Sequence, residues 1–158
     1  MKKVNGKKIL SIKKSKKKLR KNLNLRDLSS IKGNKIIEVK RFAKYILLRL
    51  SSGSFIIIHL GMSGRLKFYL KDSYKTEKHD HIVLEFEKFF IVYNDPRRFG
   101  MFFKLKDYKD LKSFFSSYGQ DLLLDKVNIS KIIKIFKNKS VSLKQALLDQ
   151  RILVGLGN

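Results

Sequence analysis

The sequence predicts an α+β protein. An antiparallel two-sheet β-sandwich over residues 1–106 is followed by helices over residues 107–158. Three observations predict this. Between Lys35 and Leu105 the apolar residues fall in short runs, two of them strictly alternating, separated by turn residues. After residue 106 the apolar spacing lengthens to three and four, the period of an amphipathic helix. A hydrophobic content of 43% in 158 residues is enough to bury a core.

In chain order, residues 7–24 are strongly basic. The first part reads as a strand through Ile9, Leu10 and Ile12, and the second as either a solvated loop or a phosphate-contacting arm. Lys35–Arg41 and Tyr45–Leu50 are rich in Ile, Val and Leu. Ser51-Ser52-Gly53-Ser54 is a hairpin turn, and Phe55–Leu60 returns as a strand. In Arg65–Leu70 the residues Leu66, Phe68 and Leu70 share one face. In His81–Phe86 the residues Ile82, Leu84 and Phe86 do the same, and Phe89–Tyr93 and Met101–Leu105 complete the strands. Three helices follow: Asp107–Tyr118, closed by Gly119; Asn128–Lys137, with Asn128 as N-cap; and Ser142–Gln150. The final Gly155-Leu156-Gly157-Asn158 is an apolar turn of the kind that leads into another element.

Lys and Arg number 37 against 13 Asp and Glu, a formal charge of +24. Such a chain repels itself when compact and points to a polyanionic partner, nucleic acid or an acidic membrane face. A solvated surface in a lysine-rich proteome is the plainer alternative. There are no cysteines, which excludes disulfides, a thiol nucleophile and a cysteine-ligated zinc site within these residues. No apolar run approaches the roughly 20 residues of a membrane span, and the first residues have no signal-peptide core. The expectation is a soluble, cytoplasmic monomer with no membrane association and no metal.

Four stretches carry candidate chemistry. In His59-Leu60-Gly61-Met62-Ser63-Gly64, glycines flank Met62, which is either a wedge for a base step or a side chain folded onto the core. Asn94-Asp95-Pro96-Arg97-Arg98-Phe99-Gly100 sets two arginines and an aromatic ring at a loop apex. Arginine suits phosphates and base edges, and the ring suits stacking. Lys78-His79-Asp80-His81 is open to three readings: a metal pair, a phosphate contact or ordinary turn residues. Lys44, between Ala43 and Tyr45, is either a solvated charge or a partly buried amine fit for proton transfer or imine chemistry.

Phe42-Ala43-Lys44-Tyr45, His59–Gly64, Lys78–His81, Asp95–Gly100 and Gly155–Asn158 occur in the order and approximate spacing of one family. The chain resembles the bacterial formamidopyrimidine-DNA glycosylases, bifunctional enzymes that remove 8-oxoguanine and ring-opened purines. The resemblance implies that the last helices begin a helix–two-turn–helix DNA-binding module. It implies that Met62, Arg97 and Phe99 enter the duplex and fill the hole left by a flipped nucleotide. By the same resemblance Lys44 performs proton transfer during β-elimination, and His79, Arg97, Arg98, Lys144 and Asn158 contact DNA. The implied partner is double-stranded DNA with oxidised purines or abasic sites.

The departures carry expectations too. The family begins with a proline whose secondary amine attacks the sugar, followed by a glutamate, and this chain starts roughly fifteen residues too late to have either. The four-cysteine zinc finger of the family is also missing. The expectation is a chain truncated at both ends and inactive in base excision, with a non-catalytic damaged-DNA-binding fragment as the alternative.

Overall fold

The computed structural model describes residues 4–124 and 128–158. The chain divides into two units. The first holds the residues up to Arg41 and those from Tyr45 to Leu111, and the second holds Phe42–Lys44 and Lys112–Asn158.

Within the first unit lie β1 (Ser11–Lys14), α1 (Leu25–Ile31), β3 (Tyr45–Leu50), β4 (Phe55–His59), β5 (Arg65–Leu70), β6 (Asp80–Glu85), β7 (Phe89–Asn94) and β8 (Met101–Leu105), and most of β2 (Ile36–Phe42). One four-stranded sheet has the order β1-β6-β7-β5 and the other β2-β3-β4-β8. Strand β6 runs antiparallel to β1 and β7, β5 to β7, and β4 to β3 and β8. One core takes side chains from both sheets: Ile36, Leu48, Leu50, Ile56, Ile58 and Phe102 from one, Ile82, Leu84, Phe89 and Tyr93 from the other. Strand β4 is buried along Phe55–Ile58, so its run of three isoleucines does not alternate. Full burial of each contributes about 1.5–3 kcal/mol.

The structure corrects the sequence reading at two places here. The first strand is Ser11–Lys14 rather than the segment around Ile9, because Ile9 sits wholly in the core while β1 pairs with β6. Helix α1 is an addition, although Asn24 and Asp27 form a complete capping box. The Asn24 side chain accepts from Asp27 N at 2.8 Å, and Asp27 accepts from Asn24 N at 3.1 Å.

In the second unit, α3 (Ile129–Lys137) and α4 (Leu143–Leu148) follow α2 (Tyr108–Phe114), which starts in the first unit. All three lie inside their predicted spans and are shorter. Ser142 and Gln145 close the capping box of α4, and the Asn128 carbonyl accepts from Ile132 N at 3.1 Å. A parallel pair unforeseen in the sequence joins β9 (Gln120–Asp121) to β10 (Leu153–Val154). The rings of Phe42, Phe115 and Tyr118 cluster, with centroids 4.6 Å apart for Phe42–Phe115 and 5.3 Å for Phe115–Tyr118. Buried Asp121 accepts from Ala43 N at 2.8 Å and Leu123 N at 3.0 Å, which fixes the Phe42–Lys44 turn within this unit. Asp149 pairs with Lys139 and Arg151, and hydrogen bonds from Arg151 first and then Lys139 hold its carboxyl well below the usual range.

Candidate nucleic-acid interface

Strand register in the first unit gathers several loops at one end of the sandwich. His59, which closes β4, faces Tyr45 and Met101, and Asn94, which closes β7, faces Arg65 and Asp80. The loops 60–64 and 95–100 and the turn before Asp80 therefore emerge together. The Ser51–Ser54 turn, Lys88 and Leu105 lie at the opposite end.

Asp95 organises this end. It is fully buried. One carboxylate oxygen accepts from Ser63 Oγ at 2.5 Å, and the other from Gly100 N at 2.9 Å and the Tyr93 hydroxyl at 3.4 Å. Its backbone N–H donates to His79 O, and its carbonyl lies 2.9 Å from His81 Nε2. Burial alone would raise the Asp95 pKa. The bonds from Ser63 and the Gly100 backbone outweigh burial, and the carboxyl stays below its ordinary value. Burial, then the neighbouring Asp95 charge, pushes the Tyr93 phenol up, so it stays a neutral donor. Arg97 N donates to Ser63 Oγ at 3.2 Å, completing a link from one loop through Asp95 to the other.

The glycines allow the close approach. Gly61 has φ +65°, and a Cβ there would lie 2.8 Å from Gly100 N. A Cβ on Gly100 would strike the Tyr93 hydroxyl. Upon this base Met62 is 73% exposed and Phe99 48% exposed, so Met62 is not folded onto the core. Arg97 and Arg98 are exposed, and the Arg97 guanidinium carbon lies 4.8 Å from the Phe99 ring centroid. Arg98 has φ +59°, a conformation uncommon for a residue with a side chain.

The Lys78–His81 stretch divides by role. His81 is buried at a bulge in the β6–β7 pairing, and both its ring nitrogens are engaged, by Ser15 Oγ at 3.0 Å and Asp95 O at 2.9 Å. Neither nitrogen is left for a metal. His79 is half-buried in the turn just before β6. No three His, Asp or Glu side chains converge among the described residues, and 158 residues without cysteine offer no thiolate zinc site.

The other candidates lie in the second unit. Lys44 is exposed, which overturns the partly buried amine. In the two-residue turn the buried Ala43 takes the inward place, held by Asp121, and Lys44 faces water. Lys144 is exposed in the first turn of α4, and Asn158 is exposed beyond β10. Sequence reasoning missed Ser63, Tyr93 and Asp95 as one network. Asn-Asp-Pro signals a turn, but a carboxylate serving both loops needs the strand register.

Residues 1–102 match the family model described as the formamidopyrimidine-DNA glycosylase N-terminal domain. The chain belongs to the formamidopyrimidine-DNA glycosylase family. The formamidopyrimidine-DNA glycosylase of Wolbachia pipientis subsp. Culex pipiens is 37% identical over 136 residues, covering 85% of this chain and 49% of the relative. That of Methylorubrum extorquens is 40% identical over 144 residues, covering 81% and 48%. This glycosylase-family chain therefore spans about half the length of the curated relatives it matches. Its fold matches a crystal structure of the Lactococcus lactis FPG (MutM) with DNA containing FAPY-dG, at TM-score 0.89 and 25% identity over 99% of this chain and 59% of that one. A complex of the same protein with abasic-site DNA matches equally well. No helix among the described residues is long and apolar enough to cross a membrane.

Proposed function

We propose that the loop end of the first unit is a duplex-DNA interface and that the chain acts in base excision repair, as part of a DNA glycosylase and abasic-site lyase for oxidised purines. One observation carries this reading. Exposed Met62, Arg97 and Phe99 stand on a buried, fully bonded base, where the carboxylates nearby, Glu77, Asp80 and Asp95, are already engaged by protein groups. An exposed ring and thioether on a fixed loop suit insertion where a nucleotide has left the stack, and Arg97 suits the unpaired opposite base. His79, Arg98, Lys144 and Asn158 would hold phosphates, and one chain would serve one lesion as a monomer.

The names of the relatives and the damaged DNA in the solved complexes support the repair role of the family.

The test compares abasic and intact duplexes. The abasic duplex should bind more tightly, because part of its unstacking cost, a few kcal/mol, is already met. Phe99→Ala should remove that preference and leave most binding to intact duplex. Equal loss on both, with an early thermal melt, would make Phe99 a structural residue and sink the insertion reading.

A further inference from the structure

The basic arm after β1 has no role in the reading above. Both its ends are fixed to the loop end of the first unit. Ser15 N donates to His81 O at 2.8 Å, and Ser15 Oγ lies 3.0 Å from His81 Nδ1. Further along, Arg20 N donates to Gly100 O at 3.1 Å and Phe102 N to Lys21 O at 2.9 Å. Leu19 and Leu23 turn into the core, and Lys16, Lys17, Lys18 and Arg20 stay exposed. No carboxylate pairs with these four cations among the described residues. Unpaired like charges held side by side cost stability, a cost that a polyanion bound there removes. The Arg20 backbone meets Gly100 directly, one residue beyond Phe99, so the arm is anchored at the end of the sandwich that carries the Arg97–Phe99 apex.

We propose that Lys16, Lys17, Lys18 and Arg20 form a backbone clamp that binds duplex phosphates beside the step where Met62 and Phe99 enter. The clamp rests on the DNA-interface reading and extends it. Because hydrogen bonds and two buried leucines already order the main chain, binding orders only side chains. The contacts are to phosphates and carry no sequence preference.

The test uses the full chain and two charge-matched triple variants, K16Q/K17Q/K18Q in the arm and K35Q/K88Q/K106Q at the opposite end of the sandwich. Affinity for a duplex with an abasic-site analogue is measured against salt. Removing one lysine–phosphate pair should flatten the log–log slope by about 0.9. The arm variant should therefore be flatter by about 2 to 3, and a fourfold rise in salt should cost it about fortyfold less affinity than the native chain. The control should change by less than one such pair. Equal flattening in both variants would mean general charge rather than a clamp. An unchanged arm variant beside a steep native slope would overturn the clamp and leave the interface standing. A native chain with no salt-dependent binding would overturn both. Should the triple variant melt early, Lys17→Gln alone, flatter by about 0.9, answers the same question.

Discussion

Lys44 shows how far one residue can be read from sequence. Its neighbours suggest partial burial, yet Ala43 takes the inward place at φ +51° and Lys44 is solvated. A solvated primary amine can still react with the open-chain aldehyde of an abasic site, forming an imine with loss of water, and borohydride fixes the imine as an amine. Weak trapping is therefore expected on abasic DNA with a polypeptide of these 158 residues. Lys44→Ala should lower the abasic signal without abolishing it, since other lysines are exposed. An abasic signal unchanged in Lys44→Ala would show that Lys44 takes no part in the trapping. His81 teaches the converse. Its spacing from His79 suggests a ligand, but its burial and two ring partners are set by a bulge that no spacing rule foresees. For Met62 the sequence favours the core over the wedge, and its exposure overturns the core reading and settles only where the side chain lies.

At the scale of elements, strands are the most legible feature, because alternation and turn residues mark them directly. Helix α1 is signalled by its Asn24–Asp27 box but is hidden behind a run of charge. The β9–β10 pair is not legible, since two residues on each side carry no periodic signal. Nor is the joining of the 60–64 and 95–100 loops, which depends on Asp95. Asp95→Asn keeps the shape and loses the charge, and should destabilise the fold by about 2 kcal/mol. The pH dependence follows from the lowered Asp95 pKa. Its contribution is complete above the ordinary Asp value, about 3.9, and is lost as pH falls through the lower folded value. Urea melts between about pH 2 and pH 6 should show a smaller acid loss in the variant than in the native chain. An identical acid loss in both would remove Asp95 from its place as the link. The Ser63→Ala and Asp95→Asn effects should fall short of additive, because one removes and the other weakens the same Ser63–Asp95 bond.

For the whole molecule, the charge of +24 is legible in composition alone, and it sets two salt responses of opposite sign. Raising salt from about 20 mM to about 300 mM shortens the screening length severalfold, relieves self-repulsion and should raise the melting temperature by a few degrees. The same change should weaken DNA binding steeply. A melting temperature that falls with added chloride salt would mean that surface ion pairs outweigh the repulsion. The two-sheet sandwich is also legible, but which end of it matters is not, because that follows from register rather than composition. The Asp95 network has a consequence for how such a chain would search a genome. On the proposed reading its probe is assembled in advance, so no protein rearrangement has to be waited for at each base step. The waiting time belongs to the DNA, through how often a step breathes open. Sites softened by damage would then be found sooner as well as held longer, and scanning would slow with duplex stiffness rather than with protein viscosity.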